Sequence, residues 1–281
     1  IRDIRITNIS NEPKNVDVIP VIEYTHFDAV KQFTNADWVP QTMQSRAYID
    51  NDNHCILTQY PFMMRDIRIN YFTSNAAVSS YETDRKRFLG DNEYGTWAHP
   101  LSLDSAELLS RESERGDNIG ALLHHLDAVQ PGEQRRLITQ LGQKESLGKA
   151  ITEIEYYRNA ENVDAALDEL ARFYKEILST MKVTTPDDGM NSMLNIHNPR
   201  QCFITLNWSR YLSYYQLGLG TRGLGFRDSS QDVMGVIDRV PQRSKELLVK
   251  LLSVQNACGN AMHQFNPLSM EASNGDVHEL L

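Results

Sequence analysis

The sequence predicts a β-then-α chain: an antiparallel β-sandwich, a helical linker and the beginning of an all-α domain. Three observations carry this reading. Over roughly the first 145 residues apolar and polar side chains alternate in short runs, the period of strands with one buried face. Beyond residue 146 the apolar spacing changes to threes and fours, the period of amphipathic helices. From Pro186 onward the sequence reads as helices and loops only. The expected divisions are 1–145 for the sandwich, 146–182 for the linker and 183–281 for the helical part.

Ile4 to Ile9 alternates cleanly, and Asn11-Glu-Pro-Lys14 breaks the run. Val16 to Tyr24 is a second strand segment whose Pro20, lacking an N–H, points to a sheet edge or a bulge. Ala47-Tyr-Ile-Asp50 and His54 to Tyr60 flank Asn51-Asp-Asn53, a hairpin signature. Ile67 to Phe72, Gly120 to Val129 and Gln134 to Leu141 complete the β region, with Pro131-Gly-Glu133 as the turn joining the last two. Many short strands separated by polar breaks indicate a sandwich. Val163, Leu167, Leu170, Tyr174 and Ile177 then recur at helical spacing. Further helices are expected near 189–216, 229–238 and 242–256, with Pro241 in the loop before the last of them or in its first turn.

A chain of 281 residues can bury a substantial core, and 41% hydrophobic with 23% charged residues is ordinary for a globular protein. Twenty-eight basic residues against 37 acidic ones give a net charge of -9. That balance argues against a nucleic-acid partner, which needs a basic face. Cys55, Cys202 and Cys258 are odd in number, widely spaced and without CxxC pairing, which fits buried thiols in a reducing, cytoplasmic setting. No run of 18 apolar residues is present, so no membrane partner is expected. The first residues read as a strand already in progress, and the sequence is expected to be a fragment.

Chemistry concentrates in Arg222-Gly-Leu-Gly-Phe-Arg-Asp-Ser-Ser-Gln-Asp232, just after the aromatic run Trp208, Tyr211, Tyr214 and Tyr215. Glycines admit a ligand close to the backbone, and arginine forks with carboxylates suit a polyhydroxylated or phosphorylated ligand. Two readings stand here: a ligand loop, or a helix-start loop whose charges pair with one another. Asp228 and Asp232 share a face if the segment is helical, and Asp228 is read as an acceptor for substrate hydroxyls. Alternatively, Asp228 or Ser229 caps the following helix. Tyr81-Glu-Thr-Asp-Arg-Lys-Arg-Phe-Leu-Gly90 is a second charged cluster, by default a solvated turn. His124 and His125 are adjacent in a strand and point to opposite faces, and no HxxxH or HExxH pair exists, so no metal is expected. His263 is placed in a polar loop after a helix and read as structural rather than catalytic. Gly218-Leu-Gly-Thr-Arg-Gly223 has the GxGxxG spacing but follows a predicted helix, whereas a dinucleotide loop follows a strand, so it is not read as one.

Taken together, several segments resemble the inverting disaccharide and oligosaccharide phosphorylases of glycoside hydrolase family 94. These are Asp84-Arg-Lys-Arg-Phe-Leu-Gly90, Thr184-Thr-Pro-Asp-Asp188, Asn198-Pro-Arg-Gln-Cys202, Asn207-Trp-Ser-Arg210, Gly225 to Asp232 and His263-Gln-Phe-Asn-Pro-Leu268. The resemblance implies a β-sandwich, linker helices and the start of an (α/α)6 barrel. It implies cleavage of β-linked gluco-oligosaccharides by inorganic phosphate, with no other cofactor, giving α-glucose 1-phosphate and a shortened sugar. The wording of Asn198 to Cys202 and of Tyr211 to Gly218 is closer to the cellodextrin and laminaribiose enzymes than to the chitobiose ones. By motif, Arg222 and Asp228 resemble the pair that binds glucose hydroxyls in the donor subsite, and Arg210 the arginine that contacts phosphate. Arg87 and Phe88 would line the sugar subsites, Phe88 offering an apolar face to a pyranose. The family's general-acid aspartate has no counterpart here and is expected downstream of Leu281, so residues 1–281 alone are expected to be inactive. A homodimer is implied for the full-length protein. Two other readings are kept: a carbohydrate-binding or scaffolding protein without catalysis, and the phosphorylase-like domain of a cyclic β-glucan synthase.

Overall fold

A computed structural model describes residues 1–24, 43–61, 68–90, 97–209, 224–267 and 269–280. They form two compact units, Ile1–Ala166 and Leu167–Leu281.

The first unit carries β1 (Arg2–Thr7), β2 (Lys14–Val18), β3 (Val21–Glu23), β4 (Met43–Ile49), β5 (Cys55–Pro61), β6 (Ile69–Ser74) and β7 (Ser80–Asp84). A one-turn helix α1 (Arg85–Leu89) follows, then the long strands β8 (Asn118–Val129) and β9 (Gln134–Lys144). One antiparallel sheet has the order β1-β9-β6-β5-β4. The other is built on β8, with β7 along one edge and β2 and β3 in succession along the other. Pro20 separates β2 from β3 on that edge: its carbonyl accepts Leu122 N–H of β8 at 3.3 Å, but without an N–H it cannot return the bond, and the ladder breaks there. The β4–β5 hairpin closes at Ile49 opposite Cys55, and the Asp50 carboxylate receives the N–H groups of Asp52 and His54 at 2.9 Å. Gly132, at φ 76°, makes the turn between β8 and β9, but those strands part into different sheets instead of pairing with each other.

That divergence explains why the first half of β8 reads as a continuous apolar run: it is covered on both sides. Leu122 packs between the sheets against Leu57 and Phe72, whereas Ile119, Ala121 and Leu123 pack outward against Phe88, Leu89 and Leu108. His124 is buried and His125 exposed, as opposite faces of one strand require. Helix α2 (Leu147–Arg158), capped by Ser146, lays Ala150 and Ile154 on Ile56 and Tyr71 of the five-stranded sheet. Helix α3 (Ala160–Ser179) follows directly. Arg136 of β9 donates to Asp3 of β1 and Asp164 of α3, tying that helix start to the sheet.

In the second unit α4 (Asp188–Ser192) and α5 (Asn198–Ile204) are joined and extended by wide π-type turns, Met193–His197 and Thr205–Ser209. Then come β10 (Leu224–Gly225), α6 (Phe226–Met234), α7 (Pro241–Ser253), β11 (Asn260–Phe265) and β12 (Ala272–Leu280). Pro241 is the first residue of α7, where its missing N–H has no intrahelical role. Buried Arg239 donates to the carbonyls of Ile177, Leu178 and Met181 at the C-terminal end of α3, groups that a helix leaves without internal partners. The three strands correct the expectation of helices and loops only. β10, β11 and β12 form an antiparallel sheet with a bulge between Met262 and Gln264. The run Asn260 to Phe265 is too short, and too interrupted by polar residues, to stand out by period alone; burial of Ala261 and Phe265 fixes it as a strand. His263 therefore lies on β11, not in a loop. No helix among the described residues is long and apolar enough to cross a membrane.

Candidate functional site

The Gly225–Asp232 segment is a helix start. Gly225 is the N-cap of α6, and no side chain caps the helix, which corrects the alternative in which Asp228 or Ser229 does so. Phe226, Ser229 and Val233 form the buried face of α6 and anchor it in the core of the unit. Asp228 sits in the first turn on the partly exposed side, and Asp232 follows one turn later on the same side. A carboxylate is electrostatically favoured there, because the first-turn N–H groups point toward it. The Asp228 side chain folds back over the N-cap: its Oδ2 lies 2.7 Å from where a Cβ on Gly225 would stand.

A two-residue strand completes the arrangement. Leu224 pairs with Phe265 and Gly225 with Gln264, so β10 lies antiparallel to β11 immediately before α6 begins. Two motifs nearly forty positions apart, Gly225-Phe-Arg-Asp228 and His263-Gln-Phe-Asn266, thereby come side by side. Asn266 ends the strand in a turn: its carbonyl accepts Met270 N–H at 2.8 Å, and its side chain accepts Ser269 N–H at 3.2 Å. Both motifs are legible in the sequence, but their pairing is not, since two residues carry no period. Arg210 and Arg222, with Tyr211, Tyr214 and Tyr215, lie outside the described residues.

The second cluster, in the first unit, is a network of paired charges. Asp84 caps α1 by accepting Arg87 N–H at 2.9 Å. Glu82, only 1% exposed, accepts from the backbone of Thr83 and Asp84 and from Arg87 Nε and Nη2, all through Oε1 at 2.7–3.0 Å. Arg87 thus spends its guanidinium on a buried carboxylate, as buried ions require. Arg85 pairs with Glu23 and Asp117. Phe88 is 2% exposed and belongs to the apolar cluster with Leu89 and Leu108. The ring at this position with an exposed face is Trp97, whose centroid lies 5.7 Å from that of Phe88. The Asp50, Asp52 and His54 side chains lie within reach of a single ion, but the Asp50 carboxylate already holds the His54 ring and the backbone N–H groups of Asp52 and His54 in the β4–β5 turn.

The family model for the glycosyl hydrolase 94 supersandwich domain matches residues 1–160, and that for the superfamily's catalytic domain matches residues 173–280. The chain belongs to glycoside hydrolase family 94. The α1 cluster falls in its supersandwich domain, and the α6–β11 pair of motifs falls in its catalytic domain. An N,N'-diacetylchitobiose phosphorylase from Vibrio proteolyticus is 30% identical over 207 residues, 74% of this chain and 25% of that protein. Another from Vibrio furnissii is 26% identical over 279 residues, 98% of this chain and 33% of that protein. The cyclic beta-(1,2)-glucan synthase NdvB of Rhizobium meliloti (strain 1021) is 26% identical over 200 residues, 71% of this chain and 7% of that protein. The chain spans about a quarter to a third of the length of the two Vibrio relatives.

Proposed function

We propose that the protein to which this chain belongs cleaves a β-linked gluco-oligosaccharide with inorganic phosphate, with inversion, giving α-glucose 1-phosphate and a shortened sugar. The observation that carries this reading is the β10–β11 pairing, which sets Gly225, over which the Asp228 side chain folds, beside Gln264 of the His263–Asn266 motif within a family 94 catalytic domain. Asp228 and Arg222 bind hydroxyls of the donor glucose, and Arg210 holds phosphate. Phosphate is already an anionic nucleophile, so it attacks the anomeric carbon without a protein base. The glycosidic C–O bond breaks, and the leaving oxygen takes a proton from a carboxylic acid outside these 281 residues. Chemistry of this kind rests on holding phosphate and sugar in line and on charge complementarity at the transition state.

The three-part organisation 1–145, 146–182 and 183–281, with 183–281 opening an (α/α)6 barrel, belongs to this reading. So do a cytoplasmic location, a homodimer in the full-length protein and the absence of any cofactor besides phosphate. Arg87 is assigned to the loop that borders the sugar subsites. The apolar face of that loop falls to Trp97, since Phe88 is in the core.

The test is release of hexose 1-phosphate by the full-length protein from cellodextrins, laminaribiose and N,N'-diacetylchitobiose. Turnover of the glucose-based sugars is expected, and Asp228→Ala is expected to lower kcat/KM by about a hundredfold. Preference for chitobiose is the second reading, favoured by the two Vibrio relatives. Sugar binding without any phosphorolysis would instead support a non-catalytic carbohydrate-binding protein.

A further inference from the structure

The backbone at Gly225 has φ −67° and ψ 131°, an extended conformation open to any residue. Its position is the N-cap of α6, where serine, threonine, aspartate or asparagine would satisfy a first-turn N–H and add stability. Glycine is thus neither required by the dihedrals nor the best cap. What distinguishes it is space. A Cβ at residue 225 would lie 2.7 Å from Asp228 Oδ2, 3.2 Å from Cγ and 3.3 Å from Cβ of the same residue. The nearest atoms it would meet all belong to the Asp228 side chain, and the closest is the carboxylate at its end.

We infer that Gly225 is a positioning residue for Asp228: its missing side chain is the slot in which the carboxylate rests, folded back over the helix N-terminus. This rests on the reading of Asp228 as a ligand for donor-sugar hydroxyls. A methyl group at 225 relieves its overlap by turning the Asp228 side chain to another rotamer, since a flexible terminus moves at less cost than a backbone. The fold survives that adjustment, because Phe226 and Val233 still anchor α6. A hydroxyl-binding carboxylate displaced by an ångström or more does not, because oriented binding is sensitive on that scale.

The experiment compares Gly225→Ala, Gly225→Ser, Asp228→Asn and the double variant Gly225→Ala/Asp228→Asn in the full-length protein. Both Gly225 variants are expected to melt within about 2 °C of wild type or above it, the serine gaining a cap. Both are expected to lose about tenfold or more in kcat/KM for phosphorolysis, with KM for the donor sugar raised as in Asp228→Asn. The double variant is expected to fall no further than Asp228→Asn by more than about twofold, because both changes remove one interaction. Wild-type kinetics in either Gly225 variant, or losses that multiply in the double variant, overturn the inference. So does a crystal structure of Gly225→Ala with the Asp228 carboxylate unmoved, a result independent of any activity. Wild-type kinetics in Asp228→Asn would overturn the hydroxyl-binding reading itself, and the role of Gly225 in it.

Discussion

Two charged segments flanked by glycine look alike in the sequence and differ in what their glycines do. Gly90, after α1, has φ 100°, a conformation that side chains strain to adopt, and a Cβ there would lie 3.1 Å from Leu101 Cβ. Its N–H closes α1 onto the Lys86 carbonyl at 2.8 Å. Gly225, before α6, sits in ordinary extended geometry, and the three atoms nearest to a Cβ there belong to the side chain of Asp228. The first glycine serves the backbone, and the second serves a carboxylate. The charges divide in the same way. Around α1 the arginines are spent on Glu82, Glu23 and Asp117, whereas Asp228 stands on the partly exposed face of its helix. Placing the glycine and the carboxylate in three dimensions separates two clusters that read alike along the chain.

That contrast breaks most sharply at Glu82. Glu82→Ala takes the carboxylate from Arg87, which keeps the Arg111 and Glu112 carbonyls, and from two backbone N–H groups, and is expected to destabilise the first unit by about 2–4 kcal/mol in denaturant unfolding. A change below about 1 kcal/mol would show that the α1 cluster is not a structural ion pair. Gly90→Ala comes next, at about 1–3 kcal/mol, from forced positive φ and the crowding against Leu101. Gly225→Ala sharpens the comparison from the other side. Its unfolding free energy is expected to change by less than about 1 kcal/mol, since lost chain entropy in the unfolded state offsets much of the poorer alanine cap and the small rearrangement. Equal costs at Gly90 and Gly225 would erase the distinction.

The smallest effect is in the pH dependence. Asp17 and then Glu107 hydrogen-bond the His125 ring at 2.7 and 3.1 Å and hold its pKa above the ordinary 6.5. The protonated pair stabilises the fold fully below the unfolded value of about 6.5, and that contribution is lost as pH rises through the folded one. The stability difference between wild type and His125→Asn is therefore expected to be larger at pH 5 than at pH 8. A difference that grows with pH would contradict the geometry of this cluster.

Much of the sandwich was legible because its elements obey local rules. The Asn51–Asn53 hairpin, the Pro131–Glu133 turn, the break at Pro20 and the opposed faces of His124 and His125 each follow from a few adjacent residues. β11 and β12 were not legible, because strands bracketed by polar residues are recognised only by what covers them. The candidate site was legible as residue types at Arg222 and Asp228 and illegible as an arrangement.

The sequence by itself determined the order of periods, the proline at the start of α7 and the motifs that mark the family, since each depends on neighbours within one or two turns. Only the tertiary structure decided that β8 and β9 part into separate sheets and that Phe88 is core. It alone decided that Gly225 and Gln264 meet, and that the room beside a glycine is taken by the Asp228 carboxylate. Those outcomes depend on which distant surfaces exclude water from one another and on which atoms then compete for the same few cubic ångströms, and neither is written in the spacing of residues along the chain.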